Sequence, residues 1–389
     1  MNERSLSGRK LTASVAVIFG TRPEIIKLAP VLQALRDSHL KHFVIYTGQH
    51  YSPLMGRDIY NGFRLAPPRY RLPFQRKWRT HGRQTGQMLG YIEEVLLAER
   101  SQWVLVQGDV NSALAGALAA KKLGIRVAHL EAGLRSFDTR MPEEHNRIMV
   151  DHISDLLFAP TECAARQLKR ESVRGAVHVV GNTVVDAVMA SRARTRASRI
   201  LKQLGLSVKK PFFLFTLHRQ ENLEAPGSLD TLAEILERVV EEFDVPVIFP
   251  VHPGTLARLK GSRHLDALQR LERLKLVPPL RYLDFLRLLD TCRLVFTDSG
   301  GVQEEACILK VPTVTLRDNT ERPETVQVGS NRLAGFDPDR ALSAGRAMLR
   351  RSRRWANPFG NGRTGKRVVR ILQGAMENGR QEHACGEGA

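Results

Sequence analysis

Three carboxylates stand where they could move protons. Gly108-Asp109 follows the apolar run Val104-Leu105-Val106, and Glu131-Ala132-Gly133-Leu134-Arg135 follows Val127-Ala128-His129-Leu130. Met141-Pro142-Glu143-Glu144-His145-Asn146-Arg147 adds acids on a loop entering a helix. Acids at neighbouring strand ends project into one cleft. Carboxylates held together have separated pKa values, so one accepts a proton while another donates. The alternatives are capping of the helix that starts at Asn111, for Asp109, and helix N-terminal charge, for Glu143 and Glu144. Either explains one residue but explains three acids poorly.

Cations and a glycine turn supply a second chemistry. Gly20-Thr21-Arg22-Pro23-Glu24, with Lys27 beyond, sets Arg22 at a helix N-terminus, where the macrodipole opposes it. An anionic ligand or an ion pair with Glu24 would account for Arg22, and the motif alone does not choose. In Thr216-Leu217-His218-Arg219-Gln220-Glu221-Asn222, His218 and Arg219 follow a strand and can neutralise a leaving diphosphate. His252, in Pro250-Val251-His252-Pro253, is placed similarly, and Thr320-Glu321-Arg322-Pro323-Glu324 offers Arg322 one strand later. Asp298-Ser299-Gly300-Gly301 joins the strand Leu294-Val295-Phe296 to a helix. The N–H groups of Ser299, Gly300 and Gly301 at that helix start suit a phosphate, and Glu305, about one turn on, can reach a ribose. No His, Cys or acid spacing matches a metal-ligand set.

The elements that must position these residues are short apolar runs alternating with amphipathic helices, which predicts parallel α/β layers. Val15 to Phe19 is the first strand, and Ile25, Leu28, Leu32 and Leu35 form the buried stripe of the next helix, with Thr21 as its cap. Leu156-Leu157-Phe158 and Val177-His178-Val179-Val180 continue the first series. A basic, alanine-rich stretch from Ala190 to Lys210 precedes a second series: Phe212-Phe213-Leu214-Phe215, Val247-Ile248-Phe249, Leu294-Val295-Phe296 and Pro312-Thr313-Val314-Thr315-Leu316. Ligands of open α/β sheets bind beyond the carboxyl ends of the strands, where all the candidate residues fall.

A chain of 389 residues exceeds one typical core and suits two domains. Its 42% hydrophobic and 25% charged content is that of a soluble protein, and no run approaches the roughly 20 apolar residues of a membrane span. The net charge of +19 invites polyanionic partners. It thickens only around Arg350-Arg351-Ser352-Arg353-Arg354 and Arg363, Lys366, Arg367 and Arg370, where no aromatics interleave, so a solvated helix face is preferred to a nucleic-acid site. Four scattered cysteines, Cys163, Cys292, Cys307 and Cys385, fit reduced thiols and a cytoplasmic protein.

Taken in order, FGTRPEIIKLAP, TGQHY, QGDVNSALAG, HLEAGLRS, MPEEHNR, GNTVVDA, LHRQEN, PVHPGT, TDSGGVQEEA and TERPE resemble the non-hydrolysing UDP-N-acetylglucosamine 2-epimerases. The resemblance implies a fold like that of B-type glycosyltransferases (GT-B): two facing Rossmann-like domains, 1–188 and 189–363, with a C-terminal helix, 364–380, returning to the first. It implies inversion at C2 without a redox cofactor. UDP leaves by anti elimination, a glycal forms, and UDP re-adds after protonation of the opposite face. Asp109, Glu131 and Glu143 become the acid/base candidates, in no assigned order, and His218 assists the leaving UDP. Arg22 and Lys27 face diphosphate and sugar; Ser299, Gly300 and Gly301 bind phosphate, Glu305 ribose, and Arg322 the sugar side. Gln49, His50 and His252 match positions of a second, activating UDP-sugar site. The resemblance also implies a homodimer and surface-polysaccharide synthesis. The sequence departs from the family at Val110, Asn111 and Asn361, which leaves a diacetamido-uronate epimerase or a hydrolysing form as alternatives; a basic nucleic-acid-binding protein is the remote one.

Overall fold

Parallel strands covered on both faces need almost uninterrupted apolar sequence, and Val15 to Phe19, Val104 to Val106 and Phe213 to Phe215 are all buried. Each fully buried Val, Leu, Ile or Phe contributes about 1.5–3 kcal/mol, so these short runs stabilise the sheets out of proportion to their length. The computed structural model describes residues 12–49, 60, 62–73, 80–219 and 221–386. The chain separates into two units, Met1–Ala187 with Gly360–Ala389, and Val188–Phe359.

In the first unit the described strands are β1 (Thr12–Phe19), β2 (His42–Tyr46), β3 (Tyr70–Arg71), β4 (Ser101–Gln107), β5 (Arg126–Leu130), β6 (Leu156–Ala159) and β7 (Ala176–Val179). They form one parallel sheet in the order β3-β2-β1-β4-β5-β6-β7. The second unit holds β8 (Phe213–Thr216), β9 (Val247–Pro250), β10 (Leu274–Val277), β11 (Leu294–Thr297), β12 (Thr313–Thr315) and β13 (Asn331–Leu333). Its sheet, also parallel, runs β10-β9-β8-β11-β12-β13. Both sheets reverse direction beside their first strand, so a crevice opens at the carboxyl ends of β1 and β4 in one unit and of β8 and β11 in the other. Gly20 and Gly108 follow the first pair; Leu217-His218 and Asp298-Ser299 follow the second.

Strands β2, β3, β10 and β13 are not anticipated by the apolar runs. Three of them are edge strands, and β2, though apolar from Phe43 to Tyr46, alternates buried with half-buried residues, so none of the four is covered on both faces as a central parallel strand is.

The helix Thr364–Gly386 packs against Arg22–Asp37 within the first unit. A Cβ on Gly365 would lie 2.6 Å from the carbonyl oxygen of Pro30, so only glycine permits that approach. Asp186 accepts the N–H groups of Thr364 at 3.2 Å and Gly365 at 3.0 Å, satisfying donors that a helix start leaves unpaired.

Candidate active site

Glu131 follows β5 in a left-handed conformation, φ 66°, which costs a non-glycine residue on the order of 1–3 kcal/mol. Its buried carboxylate is held from three sides. Lys27 Nζ lies 2.5 Å from Oε1, Asn182 Nδ2 donates to the same oxygen at 2.8 Å, and Gln107 Nε2 donates to Oε2. Lys27 is itself buried. The two form a buried ion pair, and the two amides give the Glu131 carboxylate hydrogen bonds that offset its loss of water.

Asp109 follows Gly108, whose φ of 70° turns the chain at the end of β4. Arg147 Nη2 donates to Asp109 Oδ2, and Asn146 Nδ2 donates to the Asp109 carbonyl at 2.9 Å. The side chain keeps 31% of its surface open, far more than Glu131 at 6%. The N-cap of the following helix, Asn111–Lys122, is Val110, and Gln49 Oε1 accepts the Ser112 N–H at 3.0 Å and hydroxyl at 2.9 Å.

The acids of the next loop divide. Glu144 is buried and accepts the N–H groups of Ser136 at 3.0 Å and Phe137 at 2.9 Å, the Ser136 hydroxyl at 2.8 Å, and Arg147 Nη1. It fastens the loop and orients Arg147 toward Asp109. Glu143, one residue earlier, is half-buried and has no hydrogen-bond or ion-pair partner among the described residues.

Glu24 turns back onto its own helix start. Its Oε2 accepts the N–H groups of Gly20 at 2.9 Å and Thr21 at 2.7 Å in a capping box. Burial pushes its carboxyl up to about 8 against these hydrogen bonds, and the charge of Asp109 adds to the rise. Glu24 thus belongs to the turn, which weakens the ion-pair explanation of Arg22.

In the second unit Asp298 is fully buried at the end of β11 and reaches across to the end of β8. It accepts the N–H groups of His218 at 3.0 Å and Arg219 at 2.8 Å, and lies 3.3 Å from His218 Nδ1. Burial raises its carboxyl, but the imidazole and the two N–H groups outweigh burial and hold it below the usual carboxylate range. Asp298 thus meets the half-exposed His218 ring at Nδ1. His252 caps its own helix, Pro253–Lys260, and its ring centroid is 6.0 Å from that of His218.

Ser299 is the N-cap of Gly300–Leu309, so the first N–H groups of that helix have no acceptor within it. A Cβ on Gly301 would meet only Ser299 Oγ, at 3.9 Å, and one on Gly300 would meet Glu321 Oε2 at 3.4 Å and Arg322 Cζ at 3.6 Å. Internal packing therefore demands neither glycine, and the space before the helix is open. Arg322 is brought beside Gly300 by a buried ion pair with Glu304. Glu321, paired with Arg317 at 2.8 Å, is held well below the usual range; burial opposes this, while Arg317, Arg219 and Arg322 prevail. The helix start thus faces guanidinium groups, and dipole and side chains both favour an anion there.

The family model for UDP-N-acetylglucosamine 2-epimerase matches residues 33–373. The UDP-N-acetylglucosamine 2-epimerase of Methanocaldococcus jannaschii is 48% identical over 92% of this chain and 98% of its own length. Its crystal structure in complex with UDP-GlcNAc and UDP is similar with a TM-score of 0.88, covering 92% of this chain and 99% of that one. The chain belongs to the UDP-N-acetylglucosamine 2-epimerase family. Another relative, the UDP-2,3-diacetamido-2,3-dideoxy-D-glucuronate 2-epimerase of Pseudomonas aeruginosa, is 39% identical over 92% of this chain and 99% of its own. A spinosyn rhamnosyltransferase, 13% identical with a TM-score of 0.54 over 93% of this chain and 100% of its own, shares the fold alone. The two parallel-sheet α/β units are those of the GT-B class.

Within this family member, Asp109 and Glu131 lie at adjoining strand ends, and Arg147 ties Asp109 to the helix that Glu143 opens. Arg22 is half-buried at the end of β1, and Glu305 is buried next to Glu304. Ser299, Gly300, Gly301, Arg322 and His218 stand together around the ends of β8 and β11. Gln49 sits at the start of Asn111–Lys122, and His50 lies outside the described residues. Gln107, Asn182, Arg147 and Asp298 have no role in the sequence reading. Their signal is position: Gln107 and Asp298 each close or follow a central strand, but amides and partnered acids look like ordinary turn residues. Among the described residues no group of His, Cys, Asp or Glu is arranged to hold a metal ion, and no helix is long and apolar enough to cross a membrane.

Proposed function

We propose that this protein interconverts UDP-N-acetylglucosamine and UDP-N-acetylmannosamine. The observation that carries the reading is the pinned Glu131 carboxylate beside the open Asp109, in a chain nearly half identical to an enzyme solved with UDP-GlcNAc and UDP. One carboxylate of Asp109, Glu131 and Glu143 removes the C2 proton. The C2–H electron pair forms the C1–C2 double bond, and the C1–O bond to the β-phosphate breaks with its electrons leaving on UDP. Return of a proton to the opposite face of C2 and attack of the UDP oxygen at C1 complete the inversion. Charge develops on the departing diphosphate, where the Gly300–Leu309 helix start, His218, Arg219 and Arg322 stabilise it. Arg22 faces the sugar and diphosphate, Glu305 holds the ribose hydroxyls, and Gln49 and His252 serve a second UDP-sugar site. The enzyme acts as a cytoplasmic homodimer supplying surface polysaccharide.

The test is proton NMR of the protein with UDP-N-acetylglucosamine in deuterated water. Deuterium at C2 of a UDP-mannosamine product is expected. Folded protein that exchanges nothing overturns the proposal, and release of free N-acetylmannosamine selects a hydrolysing enzyme. The diacetamido-glucuronate reading, favoured by the Pseudomonas aeruginosa relative, predicts turnover of that UDP-sugar instead.

A further inference from the structure

His129 and Asp151 are both completely buried, and both are charged or chargeable. His129 belongs to β5, two residues before Glu131; Asp151 belongs to the helix Pro142–Ile153, about two turns beyond Glu143. His129 Nε2 is 2.9 Å from the carbonyl oxygen of Gly108, the residue preceding Asp109, and Nδ1 is 2.7 Å from Asp151 Oδ1. The other oxygen of Asp151 accepts the N–H of Gly133 at 3.0 Å and Arg135 Nη1 at 2.7 Å. Arg135 in turn grips Glu171 through Nε at 2.9 Å and Nη2 at 2.5 Å.

We propose that His129 and Asp151 are positioning residues that fix Asp109, Glu131 and Glu143 relative to one another, an inference that rests on the epimerase reading above. The pair touches the peptide before Asp109, the strand before Glu131, the peptide two residues after it, and the helix that carries Glu143. A carbonyl oxygen only accepts, so Nε2 carries the proton that points at Gly108. The buried row then runs from His129 through Asp151 and Arg135 to Glu171.

Such a row is a poor way to gain stability, because apolar residues of the same volume fill a core as well or better than buried ion pairs. What it supplies is direction. Each bond has a fixed donor, a fixed acceptor and a narrow angular range. A shift of about 1 Å in a reacting group can cost 100-fold in rate, and this row joins the buried Gln107–Glu131 bond in tying the two strand ends together.

Two substitutions separate direction from filling. Asn at 129 places an amide nitrogen near the Nδ1 position and keeps the Asp151 bond; Gln places one near Nε2 and keeps the Gly108 bond. His129→Asn is expected to lower kcat about 100-fold and His129→Gln about 10-fold. The KM for UDP-N-acetylglucosamine should stay within threefold in both, and UDP binding, which uses the other unit, should be unchanged. Turnover within twofold of wild type in either variant overturns the proposal. So does a loss matched by the fraction of unfolded protein in circular dichroism, with normal turnover per folded molecule. A wild-type protein that epimerises no UDP-sugar overturns the functional reading and the pair's role together, whereas an active wild type with active variants overturns the pair alone.

Discussion

Glu24 predicts a pH-dependent stability that one isosteric change should abolish. Its carboxyl ordinarily titrates at 4.5, and burial at the start of Arg22–Asp37 pushes it up to about 8. Below pH 4.5 folded and unfolded chains both hold the proton, and the group's contribution is complete. Between 4.5 and 8 the unfolded chain has released the proton while the folded chain keeps it, so each pH unit removes about 1.4 kcal/mol. Across the window the loss is on the order of 5 kcal/mol, and above it no more is lost. Glu24→Gln imitates the protonated acid. Its carbonyl can accept the Gly20 and Thr21 N–H groups, and its amide occupies the place of Oε1, which is buried without a hydrogen-bond partner among the described residues. Thermal unfolding of both proteins from pH 5 to 9 should give nearly equal Tm values at the acid end. The variant should then gain progressively, by about 10–20 °C at pH 9 given roughly 2–4 °C per kcal/mol for a unit of this size. Parallel Tm curves would show that Glu24 is not protonated in the folded protein and refute the reasoning. Asp109→Asn removes a charge that raises Glu24, so it should shorten the window from its upper end.

Asp109→Asn and Glu131→Gln should each lower turnover at least 100-fold with UDP affinity within threefold, checked by kinetics and calorimetry; full activity in both would remove the acid/base roles. Gly301→Ala should leave Tm within about 1 °C, because the new methyl meets only Ser299 Oγ, yet weaken UDP binding about tenfold by occupying the space before the helix. Gly365→Ala should destabilise the first unit by about 1–3 kcal/mol, since its Cβ would press on the Pro30 carbonyl; a urea midpoint equal to wild type would show that the two helices can separate without cost.

Central strands β4, β5, β8, β9 and β11 are legible in the sequence because burial on both faces forces apolar runs, unbroken except at His129 of β5. The edges β3, β10 and β13 are not, since solvent on one side releases that constraint. The candidate acids follow from the same logic: Asp109 and Glu131 come directly after central runs, where side chains must emerge at the sheet's end. Their partners are hidden. Gln107 and Asn182 are neutral amides whose value lies in meeting Glu131 from residues 24 behind it and 51 beyond it, and no local pattern encodes that. His129 hides inside an apolar run, where a histidine reads as an interruption rather than as the end of a buried row of polar side chains reaching Glu171. Glu24 misleads in the opposite way, because an acid two residues after an arginine suggests a pair and instead closes the helix turn.

The docking of Thr364–Gly386 on Arg22–Asp37 also sets a timetable for the growing polypeptide. The first unit is split in sequence, with the whole of Val188–Phe359 lying between its parts. During synthesis the side of Arg22–Asp37 that receives Gly365 stays bare until the second unit has been made, and Asp186 waits for the N–H groups of Thr364 and Gly365. The unit begun first is therefore finished last, while the contiguous one can mature as it emerges. A premature stop just after Phe359 would spare every residue of the second unit and leave the first, which holds Asp109 and Glu131, incomplete.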